Sequence, residues 1–179
     1  MVERIGEAFE LGEKLTVLGV RLEQGVLAPD FELDRMIPET GAMETVRLSD
    51  SKGRVRVLNI VNSLDTPVCQ VETRRWDVVA RDLGSDVVLF TVSMDLPFAQ
   101  ARWCGAEKAG HSALSAHRSE AFGHAYGVLI KEWRLLQRAV IVVGPDGRVA
   151  HAEYVGDQMA EPDYDVALDA VRRSVGVAT

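Results

Sequence analysis

The stretch Val55-Arg56-Val57-Leu58-Asn59-Ile60-Val61, followed at once by Asn62-Ser63-Leu64-Asp65-Thr66-Pro67-Val68-Cys69, carries the reading of the fold. A short apolar run that gives way to turn-forming residues reads as a buried strand. Pro67 then suits the first turn of a helix, where a missing N–H costs no hydrogen bond. That helix is expected over about 67–83, with Gly84 as its stop. Residues 87–92 repeat the apolar run, and a shorter helix is expected over about 98–104. Strand, helix, strand, helix is the order of a parallel sheet covered by crossover helices.

The remaining segments extend this pattern in both directions. Residues 119–126 read as a helix with Ser119 as cap and Gly127 as stop. Ala139–Val143 and Val149–Tyr154 flank Gly144-Pro145-Asp146-Gly147, a hairpin turn. A last helix over about 163–174 offers Val166, Leu168, Ala170 and Val171 for packing. Upstream, two short strands are read around Gly12-Glu13-Lys14, residues 25–29 form a break, and Phe31-Glu32-Leu33 alternates like a strand. Val46 to Asp50 leads into the turn Ser51-Lys52-Gly53. The expected architecture is a single α/β domain over residues 1–179, a thioredoxin-like three-layer sandwich with an N-terminal β-hairpin at about 8–20.

Composition narrows the function. With 179 residues and 47% apolar content the chain can bury a sizeable core. A net charge of −7, with no cluster of Lys or Arg, argues against a nucleic-acid surface. No apolar run is long enough for a membrane span, and the first residues lack the basic and apolar pattern of a secretory signal. A cytoplasmic location is therefore expected. Stable disulfides are rare there, so two lone cysteines point to a transient, catalytic bond. No Gly-x-Gly-x-x-Gly follows a strand, and His111, His117, His124 and His151 show no ligand pairing, so neither a dinucleotide nor a metal is expected.

The two cysteines, Cys69 and Cys104, each follow an expected strand. Cys69 falls in the first turn of its helix, where unpaired N–H groups favour an anion and so the nucleophilic thiolate. Thr66, three residues earlier, has a hydroxyl that can both donate to and accept from a peroxide. A thiolate, a threonine and an arginine together can orient an O–O bond and stabilise the charge that develops as it breaks. The same residues also read more plainly, with Cys69 as a small buried hydrophobe, Thr66 as a helix cap and Cys104 as an inert thiol beside Trp103.

Ser63-Leu64-Asp65-Thr66-Pro67-Val68-Cys69 closely resembles the peroxidatic loop of the bacterial thiol peroxidases, a family of atypical two-cysteine peroxiredoxins. Asp95-Leu96-Pro97-Phe98-Ala99-Gln100, with Arg102 and Cys104-Gly105-Ala106-Glu107, is similar to the family's resolving-cysteine segment. Ser115, His117-Arg118-Ser119, Phe122-Gly123 and Tyr126-Gly127-Val128 match its next block, and Arg138-Ala139-Val140 its arginine-bearing strand. Glu161-Pro162-Asp163-Tyr164 with Ala167-Leu168 matches its closing helix.

The resemblance implies Cys69 as peroxidatic nucleophile, Thr66 as the residue positioning the peroxide, Arg138 as the holder of the thiolate and Cys104 as resolving thiol. It further implies hydroperoxide substrates, from hydrogen peroxide to alkyl and lipid hydroperoxides, thioredoxin as reductant, a homodimer, and no metal or organic cofactor. Without the resemblance, Arg138 reads as a surface arginine at a strand start. A thiol–disulfide oxidoreductase or redox sensor on the same fold is the alternative, although no Cys-x-x-Cys is present. A non-catalytic interaction module is a third reading.

Two departures from the family pattern stand out. Asn62 occupies the position of a proline that shields the nucleophile, so a wetter and less constrained loop is expected. Glu72 stands where a glutamine is usual and reads as a solvated first-turn glutamate; pointing inward, it would oppose thiolate formation.

Overall fold

A computed structural model describes residues 2–176 of the chain. Its central sheet has seven strands, built around three that are parallel: β5 (Val55–Ile60), β6 (Val87–Ser93) and β7 (Ser112–Ser115). On one side β10 (Ala139–Val143) pairs antiparallel with β5, and β11 (Val149–Tyr154) pairs antiparallel with β10; on the other, β3 (Glu32–Met36) and β4 (Met43–Arg47) follow β7. A second, four-stranded sheet runs β1 (Glu3–Glu10), β2 (Glu13–Leu18), β8 (Leu129–Ile130) and β9 (Leu135–Leu136).

Successive side chains of a strand point to opposite faces, and here both faces are apolar. Val55, Val57, Leu89, Val140 and Val142 face α1 (Pro67–Ala80) and α4 (Tyr164–Gly176), where Trp76 and Tyr164 meet at 5.6 Å between ring centroids. Leu58, Ile60, Phe90, Val92, Ile141 and Val143 face the opposite way, onto Phe122 of α3 (Ala121–Ala125) and Tyr126. Helices on both faces of one sheet make the three-layer, thioredoxin-like sandwich expected from the sequence. The N-terminal hairpin of β1 and β2 is held to it through β8. At that junction Gly127 has φ +62°, and a Cβ there would run into the carbonyl of Val20.

Some boundaries moved. The first helix ends at Ala80, because Asp82 and Leu83 donate to carbonyls three residues back and tighten the chain before Gly84. The helix expected over 98–104 is α2 (Pro97–Glu107); Gly105 lies inside it, and Lys108 makes the left-handed exit at φ +53°. The helix after Ser119 begins at Ala121, whose N–H is capped by the Ser119 hydroxyl at 3.0 Å. The strand expected at 31–33 runs over Glu32–Met36. No helix among the described residues is long and apolar enough to cross a membrane.

Candidate active site

Because β5 and β6 are parallel, the chain leaves both strands at the same edge of the sheet, where open α/β sheets gather their sites. Asp95, two residues beyond β6, fastens the loop that follows β5. One carboxylate oxygen accepts from the Ser63 hydroxyl at 2.7 Å, and the other from the Leu64 N–H at 2.8 Å and the Ser93 hydroxyl at 2.7 Å. This tether sets the entry into α1. Thr66 is the residue before the helix, and its hydroxyl donates to the Ser63 carbonyl at 2.9 Å rather than capping the helix. With its proton committed, the hydroxyl faces any further partner as an acceptor.

Cys69 is the third residue of α1 and is fully buried, packed with Val61, Leu64 and Trp103. Arg138 reaches it from the start of β10, since the pairing of Ala139 with Ile60 draws residue 138 alongside the end of β5. Only 1% of the Arg138 side chain is exposed, so it is no surface arginine. It donates to the Glu72 carboxylate, to the Gln158 carbonyl at 2.9 Å and, more weakly, to Asn62 Oδ1 at 3.4 Å. Burial works against its charge, but the Glu72 carboxylate and the Cys69 sulfur more than offset that and raise its pKa above the ordinary value.

Both departures from the family pattern turn out differently from expectation. Glu72 is not solvated: its side chain is fully buried and paired with Arg138. Burial pushes its carboxyl up to about 7, with the arginine pulling the other way. Asn62 is not wet or loose either. It is 5% exposed, and its Nδ2 donates to the Leu136 carbonyl at 2.6 Å and to Gln158 Oε1 at 3.0 Å. Both residues are polar groups whose partners come from distant strands, which local patterning does not show. Gln158, which also accepts the Arg138 backbone N–H at 2.9 Å, carried no sequence signal, being one polar residue in a turn after β11.

Cys104, on α2, is half-buried and packs against the apolar cluster that contains Cys69. It also lines a groove of ≈ 510 Å³ with Met36, Pro97 and Lys108. Burial, reinforced by the charge of Asp77, pushes its thiol up to about 11. Both cysteines are free thiols on intact helices. The two helices are tied together by Arg74 with Glu107, at 2.7 and 2.9 Å, and α1 is tied to the segment after α2 by Asp77, whose Oδ1 takes the Gly110 N–H at 2.6 Å and meets His111 Nδ1 at 3.0 Å. The other ring nitrogen of His111 lies 2.8 Å from the Thr91 hydroxyl. This cross-link was missed in the sequence, where Asp77 and His111 belong to different elements.

The arrangement therefore sets a buried sulfur at a helix start, against a buried guanidinium, with a hydroxyl oxygen at the helix entrance. That combination suits attack of a thiolate on a bond whose breaking leaves negative charge. Comparison with known proteins gives the family. The Redoxin family model matches residues 23–168. The thiol peroxidase of Streptococcus parasanguinis is 42% identical over 163 residues, covering 90% of this chain and 96% of that protein. The thiol peroxidase of Bacillus subtilis (strain 168) is 42% identical over 165 residues, covering 92% and 95%. The crystal structure of a peroxiredoxin-like protein from Aquifex aeolicus superposes with a TM-score of 0.83 at 30% identity, covering 95% of this chain and 98% of that one.

Proposed function

The chain belongs to the redoxin family, in its thiol peroxidase branch, and from that premise we propose that Cys69 is the peroxidatic nucleophile of a thiol-dependent peroxidase, with Thr66, Arg138 and Cys104 serving it. The observation that carries this reading is the buried Arg138 guanidinium, whose charge faces the Cys69 sulfur. A hydroperoxide is the substrate, and a thiol reductant closes the cycle.

In the first step the Cys69 thiolate attacks the terminal peroxide oxygen. An S–O bond forms, the O–O bond breaks, and the departing oxygen takes a proton and leaves as water or an alcohol. Thr66 accepts a hydrogen bond from the peroxide, and Arg138 stabilises the charge moving onto the leaving oxygen. Cys69, now a sulfenic acid, condenses with the Cys104 thiol; an S–S bond forms and water leaves. An external dithiol, with thioredoxin as the proposed partner, exchanges with the disulfide and is itself oxidised as the two cysteines are reduced. A homodimer working in the cytoplasm, each chain acting as one domain, completes the proposal.

Peroxide turnover with thioredoxin and its reductase tests it. Cys69→Ser is expected to abolish turnover. Cys104→Ser is expected to be oxidised once and then stall. Full turnover by Cys69→Ser ends the proposal.

A further inference from the structure

The loop carrying Cys69 resembles one in which position 62 is proline, a residue with no side-chain donor or acceptor. Asn62 has both, and each end of its carboxamide is engaged. The amino end is claimed by two carbonyl oxygens, those of Leu136 at 2.6 Å and of the Gln158 side chain at 3.0 Å. Turning the amide over would set oxygen against oxygen at both contacts. Gln158 is itself fixed, because its Nε2 donates to the carbonyls of Val155 at 2.8 Å and Gly156 at 3.0 Å. The oxygen of Asn62 is thereby locked towards Cys69 Sγ at 4.0 Å and Arg138 Nη2 at 3.4 Å.

A carboxamide oxygen offers only lone pairs. It accepts a hydrogen bond from a thiol and repels a thiolate. We propose that Asn62 is a positioning residue for Cys69, its locked oxygen holding the sulfur in the protonated, hydrogen-bonding form, so that Arg138 must compete with it for the thiolate. The charged and titratable groups around this sulfur are Arg138 from β10, Glu72 from the next turn of α1 and Cys104 from α2. Arg138 favours the thiolate, and Glu72 draws the same guanidinium away from it. Asn62 thus acts alongside Glu72 and against Arg138. The consequence for turnover rests on Cys69 being the nucleophile, whereas the contact between amide and sulfur does not.

The test uses the full chain with Cys104→Ser, in which Cys69 is the one remaining thiol, and follows thiolate formation by its ultraviolet absorbance as pH is raised. Asn62→Ala removes the facing oxygen and is expected to move the midpoint to lower pH by about half a unit or more, roughly threefold more thiolate on the acid limb. Asn62→Asp keeps an oxygen towards sulfur and adds charge, and is expected to move the midpoint the other way by a similar amount. A residue with a merely structural role would lower the melting temperature of both variants without displacing the two midpoints in opposite directions. Midpoints that do not move, or that move together, overturn the proposal. Should Asn62→Ala fail to fold, Asn62→Pro, the family's residue, carries the same expectation and the same power to refute it. The absorbance needs no peroxide, so the outcome is independent of turnover. Turnover surviving Cys69→Ser would strike the assignment of the nucleophile and leave the Asn62 contact standing.

Discussion

Arg138, the residue before β10, and Glu72 of α1 form an ion pair, and their side chains are 1% and 0% exposed. Taking two charges out of water costs about as much as their attraction returns, so such a pair is a weak source of stability. Its effect is positional: the carboxylate fixes one side of the guanidinium while Cys69 faces it. It also divides the arginine's attraction between the Glu72 carboxylate and the Cys69 sulfur.

Replacing Arg138 with Met removes the charge and leaves Glu72 buried without its partner. The expected loss of stability in alkaline solution, with Glu72 ionised, is about 3–5 kcal/mol. The loss is expected to shrink as pH falls, because without the arginine's pull Glu72 takes up a proton above its wild-type value of about 7 and ceases to be an unpaired charge. Denaturant unfolding at several pH values measures both. Peroxide oxidation of the folded variant is expected to slow about 10²-fold, the scale for losing one donor to developing negative charge.

Glu72 also makes wild-type stability depend on pH in a defined direction. Its carboxyl binds a proton more tightly in the folded chain, at about 7, than at its ordinary 4.5. Its favourable contribution is therefore complete below about 4.5 and is lost as pH rises through about 7. Glu72→Gln removes this dependence. The stability of Glu72→Gln relative to wild type is expected to rise by on the order of 3 kcal/mol across that window. A constant difference between the two proteins would refute it. The same variant is expected to oxidise faster with peroxide near neutral pH, since Arg138 is released to Cys69.

Thr66→Val keeps the shape of the side chain and removes the hydroxyl. The lost bond to the Ser63 carbonyl is worth about 1 kcal/mol. Peroxide oxidation is expected to fall by roughly 10–100-fold, a larger effect than the change in stability, and Thr66→Ser is expected to restore it. Stopped-flow fluorescence of Trp103, which packs against Cys69, reports the step.

A disulfide needs Cα atoms about 4.4–6.8 Å apart, and Cys69 and Cys104 sit on separate intact helices. Oxidation is therefore expected to unwind the first turn of α1, the segment around Cys104, or both. Hydrogen exchange at those amides should rise in the disulfide form; unchanged protection with the bridge formed would be inconsistent with this mechanism. Asp77→Ala cuts the tie from α1 to Gly110 and His111 and removes a charge that opposes the Cys104 thiolate. It is expected to cost about 2 kcal/mol of stability and to speed disulfide formation after peroxide addition.

Much of the frame was legible in sequence because it rests on short-range rules. The alternation that puts Val55 and Val57 on one face and Leu58 and Ile60 on the other is a property of the strand itself. Pro67 marks the start of its helix for an equally local reason, having no N–H to leave unpaired. The second helix, expected over about 98–104, runs through Gly105 to Glu107, a reach that its local sequence does not announce. The strand β7 gave no clear pattern, and it exists because β6 and β3 lie ready to pair with it.

By itself, then, the chain determined the order of its principal strands and helices, the place of Cys69 in the first turn of a helix, and the residue types that peroxide chemistry needs. Only the tertiary structure decided how those residues meet. Glu72 and Arg138 are 66 positions apart, and nothing near Glu72 in sequence announces that a guanidinium will bury it. Asn62 reads as a wetter, less constrained loop residue until Leu136 and Gln158, distant in sequence, lock its amide. Periodicity and capping act within a turn or two of chain, whereas the burial and charge state of a polar side chain are set by partners that the fold alone brings close.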